Sequence, residues 1–163
     1  MGMLAAYHAV DDAAFASTMD LDEDDLMDRI EEFYDDDDVL GYDLDKNWDI
    51  LHFVLTGMSA SQAVGGDPLS EAITGVHVCE AELFVCATNA EEVPRILDAL
   101  RAVDIDSLRG RCDLTTFRKR KIYPAVEDEE DHLWLSLKAE YEGLLGFYSG
   151  AAARGLNVIV SII

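Results

Sequence analysis

The residues best suited to chemistry lie in one stretch, where Asp45, Asp49, His52 and Thr56 are spaced four, three and four apart. Residues three or four positions apart are neighbours on a helix, so Asp49, His52 and Thr56 are expected along one helix side. A carboxylate that orients an imidazole recurs in general acid–base catalysis and behind metal ligands. However, His52 also shares its face with the apolar Trp48. The alternative is a core histidine satisfied by a carboxylate or a backbone group.

Other polar and aromatic side chains extend this cluster into a candidate pocket for a ligand or a partner. Its members are Tyr7, Asp45, Trp48, Asp49, His52, Thr56, Asp67 and Tyr123. No catalytic residue is assigned, because the sequence has no GxSxG nucleophile motif and no glycine-rich phosphate loop. The four histidines show no metal-ligand spacing such as HxH or HExxH, so neither a metal nor a cofactor is expected.

A second candidate site combines Tyr123-Pro124 with the basic residues that precede it. Arg118, Arg120 and Lys121 are the candidate anion site, since guanidinium and ammonium groups beside an extended tyrosine could hold an anion or a peptide carboxylate. The alternative is a packed corner whose basic residues are solvated or balance neighbouring acids, such as the run Glu127–Asp131.

The charge of the chain limits the partners it can have. The 163 residues include 34 Asp and Glu against 12 Lys and Arg, a net charge of −22. Nucleic acids and anionic membrane surfaces would repel this chain. Residues 1–50 hold 17 acids and 2 bases, a net charge of −15. This third forms an acidic face that suits a cationic partner or reflects adaptation to salt.

The periodicity of apolar residues predicts the elements that must position these candidates. The segment from Asp45, as N-cap, to Gly57 reads as a central buried helix, and Asp67-Pro68 reads as a helix start. The predicted helices are 12–19, 22–34, 45–57, 68–74, about 89–103 and 127–154, with short helical turns at 106–112 and 114–119. The predicted strands are 3–10, 76–79, 83–87 and 156–163.

This alternation predicts an α/β (or α+β) fold in one compact domain, residues 1–163. A small mixed sheet is flanked by several helices, and a long C-terminal helix precedes a final strand buried on both faces. Three cysteines without a CxxC pair, and the lack of a signal peptide or an 18-residue apolar run, indicate a cytoplasmic protein.

Several motifs resemble one family along nearly the whole chain. They are the string Leu44-Asp45-Lys46-Asn47-Trp48-Asp49-Ile50-Leu51-His52-Phe53-Val54-Leu55-Thr56-Gly57, Asp67-Pro68-Leu69-Ser70, Ile122-Tyr123-Pro124 and the aromatic helix before Gly155. They resemble the YfbM-like family of small bacterial proteins of unknown function. The resemblance implies a compact α/β domain in a cytoplasmic bacterial protein, and no activity, cofactor or catalytic residue.

These observations favour a non-catalytic binding module whose acidic face engages a basic protein, rather than nucleic acid or membrane. The alternative is a small-molecule-binding protein or an enzyme with its pocket near the Trp48–His52 helix.

Overall fold

The computed structural model describes residues 2–63, 65–80 and 84–163. Within these ranges, five strands form one sheet in the order β2-β1-β5-β4-β3. The strands are β1 (Ala5–Val10), β2 (Leu40–Asp45), β3 (His77–Glu80), β4 (Val85–Thr88) and β5 (Asn157–Ile162). The predicted α/β class, with its buried final strand, is confirmed. A mixed sheet was predicted, but all four pairs of neighbouring strands are antiparallel. The final strand β5 lies between β1 and β4 and runs opposite to both.

The two central strands are buried on both faces. All six residues of β1 and all six of β5 are buried. Successive side chains point to opposite faces, so Tyr7 and Ala9 join the larger core while Val10 joins a smaller one on the other side. The last strand therefore separates two hydrophobic layers.

Helices cover both faces of the sheet. They are α1 (Asp12–Met19), α2 (Glu23–Asp35), α3 (Trp48–Thr56), α4 (Pro68–Thr74), α5 (Val93–Ala102), α6 (Leu114–Arg120) and α7 (Glu130–Ala153), with 3₁₀ turns at Ala60–Gln62 and Ile105–Arg111. The larger core contains buried residues of α3, α4, α5, α6 and α7. The smaller core is closed by α2, through Leu26, Ile30 and Phe33, with Phe15 of α1 beside them.

Local capping explains where several helices begin. The carboxylates of Asp11, Asp22 and Asp67 each accept a backbone N–H of the helix that follows, and Pro68 occupies the first turn of α4. The predicted start of α5 near residue 89 is too early. There the Asn89 N–H is bound by the Glu92 carboxylate at 2.9 Å, which forms a turn before the helix.

The strand predicted over 83–87 is observed as Val85–Thr88, and its first residue, Leu83, lies outside the described residues. The long C-terminal helix begins at Glu130 rather than at residue 127. Gly143 in this helix allows close packing, because a Cβ there would collide with the ring of Tyr42 from β2. The helix ends before Gly155, which has φ +62°.

Candidate functional site

Helix α3 carries four of the eight predicted pocket residues, and its start differs from the prediction. Asp45 was expected to be the N-cap. Instead it ends β2 with φ 55°, and Asn47 is the N-cap without a side-chain hydrogen bond. Because α3 is shorter than predicted, the Asp45 side chain lies outside it. The helix ends at Gly57, as predicted, and this glycine takes the left-handed conformation.

His52 lies in the core of α3 with both ring nitrogens engaged. Nδ1 is 2.8 Å from the carbonyl oxygen of Met58, and Nε2 is 2.7 Å from Oγ of Ser70. The fitting tautomer donates from Nδ1 to Met58 and accepts the Ser70 hydroxyl at Nε2. Burial lowers the pKa of His52 more than the Met58 hydrogen bond, Asp49 and Asp67 raise it. The ring is therefore a neutral tie between α3 and α4.

The Ser70–His52 contact has the geometry of a nucleophile and its base. Ser70 also lines a cavity of about 320 Å³ with Glu71, Thr74, Gly75 and Cys86 among its walls. Sequence reasoning missed this pair, because no spacing rule connects residues 52 and 70. Its lowered pKa makes the His52 imidazole a weaker base, and its second partner is a carbonyl rather than a carboxylate. Both facts favour a structural role for the Ser70–His52 contact rather than a catalytic one.

Asp49 is a buried carboxylate that joins three segments. Oδ1 accepts the Ala60 N–H at 2.7 Å, and Oδ2 accepts the Tyr123 N–H at 3.0 Å. The hydroxyl of Ser59 donates to the same group at 3.0 Å. Asp49 does not contact the His52 nitrogens, so the expected carboxylate–imidazole pair is replaced by backbone ties to two loops.

The remaining pocket residues divide into separate places. The Tyr7 hydroxyl donates to the Ile73 carbonyl at 2.9 Å in the larger core, while the Asp67 carboxylate caps α4. The Thr56 hydroxyl donates to the His52 carbonyl at 2.8 Å. Trp48 lies against Tyr123, with ring centroids 5.5 Å apart. The structure thus brings together Trp48, Asp49 and Tyr123, but not all eight predicted residues.

Tyr123 forms one wall of a surface groove of about 390 Å³. The groove is lined by Leu114, Phe117, Arg118, Lys121, Ile122, Tyr123, Pro124, Ala125 and Val126. Two residues of the candidate anion site, Arg118 and Lys121, thus lie beside the predicted tyrosine. Arg120 instead lies over the ring of Phe53, 5.6 Å from its centroid.

Ion pairs distinguish two parts of the basic stretch 109–121, which holds six Arg and Lys residues and one acid. Arg109 contacts Glu130 at 3.2 Å and Asp131 at 2.6 Å. Arg111 donates to the Val54 carbonyl, which caps the end of α3. Within the described ranges, the basic run 118–121 forms no ion pair. The balance with neighbouring acids expected as the alternative therefore applies to Arg109 and not to this run.

Glu140 is a titratable group that sequence reasoning missed. One oxygen accepts from Asn47 Nδ2 at 2.8 Å, and Oε2 is buried without a partner among the described residues. Burial raises the pKa of Glu140 to about 7, the Asn47 hydrogen bond lowers it, and Asp45 raises it. Nothing in the sequence of the helix, where polar and apolar residues alternate with helical period, distinguishes Glu140 from an exposed acid with an ordinary pKa.

The possible metal ligands are dispersed within the described residues, and two of the cysteines are buried. Among residues 2–63, 65–80 and 84–163, no group of three His, Cys, Asp or Glu side chains could hold a metal ion. Burial raises the pKa of Cys86 and of Cys112 to about 11, so both thiols stay protonated at neutral pH.

Exposed acids are concentrated on α2 and on the segments at its two ends, within the acidic first third of the chain. Twelve acids are exposed there: Asp20, Asp22, Glu23, Asp24, Asp25, Asp28, Glu31, Glu32, Asp35, Asp36, Asp37 and Asp38. The one base among them, Arg29, contacts Glu32 at 3.0 Å. The segment 20–38 therefore carries a large excess of exposed negative charge.

The comparisons with known proteins agree along the whole chain. A family model described as "Domain of unknown function (DUF1877)" matches residues 1–161. Protein YfbM of Escherichia coli (strain K12) is 30% identical over 168 residues, which covers 100% of this chain and 99% of that protein. The crystal structure of YfbM, described as a protein of unknown function, superposes with a TM-score of 0.82 at 28% identity. It matches 99% of this chain and 100% of that chain. In the described part of the chain, no helix is long and apolar enough to cross a membrane.

Proposed function

Since the chain belongs to the DUF1877 family, the YfbM-like proteins of unknown function, we propose its role from its own surface: a non-catalytic, cytoplasmic binding module for a cationic protein. The observation that carries this proposal is the acidic face, Asp20–Asp38. Its twelve exposed acids surround a single arginine that is already paired.

The acidic face also contains a cleft. This cleft of about 370 Å³ opens beside α2, with Phe33 and Val39 among its apolar lining residues. Its charged lining residues are four acids and two bases: Asp11, Glu32, Asp36, Asp38, Arg29 and Arg154. An apolar floor with a rim on which acids outnumber bases suits the aliphatic stem and charged head of a lysine or arginine side chain. The surrounding charge would speed the encounter with a basic protein.

The test compares two variants with equal changes in net charge. D28N/E31Q/D35N/D37N neutralises four exposed acids on the acidic face, away from the first turn of α2. D98N/E127Q/D128N/E142Q neutralises four exposed acids elsewhere. Proteins captured from a bacterial lysate at 50 mM salt are identified, purified and titrated against each variant.

We expect a cationic partner whose binding weakens at least tenfold in the first variant, changes less than threefold in the second, and falls steeply towards 0.5 M salt. A partner that is not basic, or equal losses in both variants, would overturn the proposal. So would the absence of any partner at low salt.

A further inference from the structure

We propose that the groove beside Tyr123, defined by its lining residues Leu114 to Val126, binds a small organic carboxylate with an apolar body. Arg118 and Lys121 would hold the carboxylate, and the apolar walls would hold the body. This site is separate from the acidic face and does not depend on the function proposed for it.

The size and lining of the groove indicate the body of the ligand. Its volume of about 390 Å³ is in the range of small-molecule sites, and Leu114, Phe117, Ile122, Pro124 and Val126 supply apolar walls. An inorganic anion would leave these walls in water. A compact aliphatic or aromatic group would cover them.

The two cations indicate the head group. Arg118 and Lys121 are exposed and, within the described residues, form no ion pair, although acids outnumber bases 34 to 12 in this chain. Among the described residues, four of the twelve bases pair with carboxylates and eight do not. Arg118 and Lys121 are the two unpaired bases that line this groove. The groove thus offers unneutralised positive charge on an otherwise negative surface, which is complementary to a carboxylate.

The walls are held in place before any ligand arrives. Asp49 accepts the Tyr123 N–H at 3.0 Å, and the Trp48 ring packs on the Tyr123 ring. The Lys121 residue takes the left-handed conformation with φ 56°, which ends α6 and turns the chain into the groove. A preformed site loses less conformational freedom on binding.

The experiment uses 4-phenylbutyrate and octanoate as probes, with 4-phenylbutanol as the neutral analogue and inorganic phosphate as the bare anion. Binding to the full chain is followed by NMR shifts of the Lys121, Ile122 and Ala125 amides at 150 mM salt. We expect saturable binding of at least one carboxylate probe. The alcohol and phosphate should bind at least tenfold more weakly.

Matched variants then test the two cations. R118Q and K121N should each weaken carboxylate binding about fivefold or more. K119Q removes the same charge from the same helix but not from the groove lining, and should change affinity less than twofold. Asparagine tolerates the left-handed conformation, so K121N keeps the turn, and thermal unfolding checks that each variant is folded.

Several results would overturn the proposal. They are equal affinity for the acid and the alcohol, tighter binding of phosphate, no binding of either carboxylate, or equal losses in K119Q and R118Q. D28N/E31Q/D35N/D37N should bind the probes normally, so failure of the acidic-face proposal and failure of this one are distinguishable.

Discussion

Glu140 permits a sharp test of the energetics, because replacing it with glutamine should stabilise the protein at high pH and not at low pH. Burial, supported by the nearby Asp45, raises the pKa of this carboxyl from 4.5 to about 7 despite the Asn47 hydrogen bond. The Tyr42 hydroxyl donates to the backbone carbonyl of the same residue at 3.0 Å. No cation compensates the carboxylate in these contacts.

The direction follows from proton linkage. In the unfolded chain the carboxyl ionises near 4.5, whereas the folded protein keeps the proton up to about pH 7. The folded state therefore binds more protons between these values, and its stability falls as pH rises through this window. Below the window both states are protonated, and above it the folded protein bears the full cost of a partly buried charge.

The magnitude follows from the width of the window. At about 1.4 kcal/mol per pH unit, a rise from 4.5 to about 7 corresponds to roughly 3 kcal/mol. The group is only partly enclosed, so solvent screening reduces this to about 2 kcal/mol. Glu140→Gln keeps an oxygen for Asn47 and removes the charge. Because pH 5 already lies inside the window, the gain in the free energy of unfolding relative to the parent should be about 1–2 kcal/mol larger at pH 8 than at pH 5.

The assay is urea unfolding of the parent and the variant at pH 5 and pH 8, with E142Q as the control. Glu142 is exposed two positions along the same helix, and its replacement should change stability by less than about 0.5 kcal/mol at either pH. If Glu140→Gln has the same effect at both pH values, or if NMR titration places the Glu140 pKa near 4.5, the reasoning is wrong.

Three further predictions concern single contacts, each measured as the free energy of unfolding. Gly143→Ala forces a Cβ against the Tyr42 ring and should cost about 1–3 kcal/mol, whereas Gly146→Ala, on an open part of the same helix, should be neutral or gain up to about 1 kcal/mol. Equal effects would contradict the packing. Ser70→Ala leaves the buried His52 Nε2 without its donor and should cost about 1–3 kcal/mol; a loss below 0.5 kcal/mol would refute this tie. Asp35→Asn removes a negative charge from the end of α2 and should gain about 0.3–1 kcal/mol, whereas Asp24→Asn in its first turn should lose a similar amount, and gains in both would exclude a helix-dipole effect.

The sequence predicted the elements well where local signals and tertiary packing agree. Asp67 followed by Pro68 marks the start of α4, and Gly57 marks the end of α3. The run Leu156 to Ile163, apolar at nearly every position, predicted β5 because both faces of that strand are covered. The antiparallel pairing could not be predicted, since strand direction depends on how helices cross the sheet.

The candidate site was predictable only in part. Helical spacing shows which residues of one helix are neighbours, whereas a site combines residues from several elements. Trp48 and Tyr123 were both identified, but their stacking joins residues that are 75 positions apart in the chain. Asp45 was misplaced because a carboxylate three positions before the first residue of a helix looks the same in sequence whether or not it caps that helix. Arg118 and Arg120 are separated by about 200° around α6, so only one of them can face the groove.

The residues that looked most reactive are those whose polar groups are already in use. Both carboxylate oxygens of Asp49 accept hydrogen bonds from backbone N–H groups, and both ring nitrogens of His52 are hydrogen-bonded. Because a hydrogen-bonded, buried group has little capacity left for a ligand, such residues stabilise the scaffold. By contrast, Arg118 and Lys121 are exposed and without a carboxylate partner in the described structure, next to apolar walls that Asp49 helps to fix. In a chain with net charge −22, the capacity to bind an anion is therefore found where positive charge is left unneutralised, and the central helix contributes by positioning that surface.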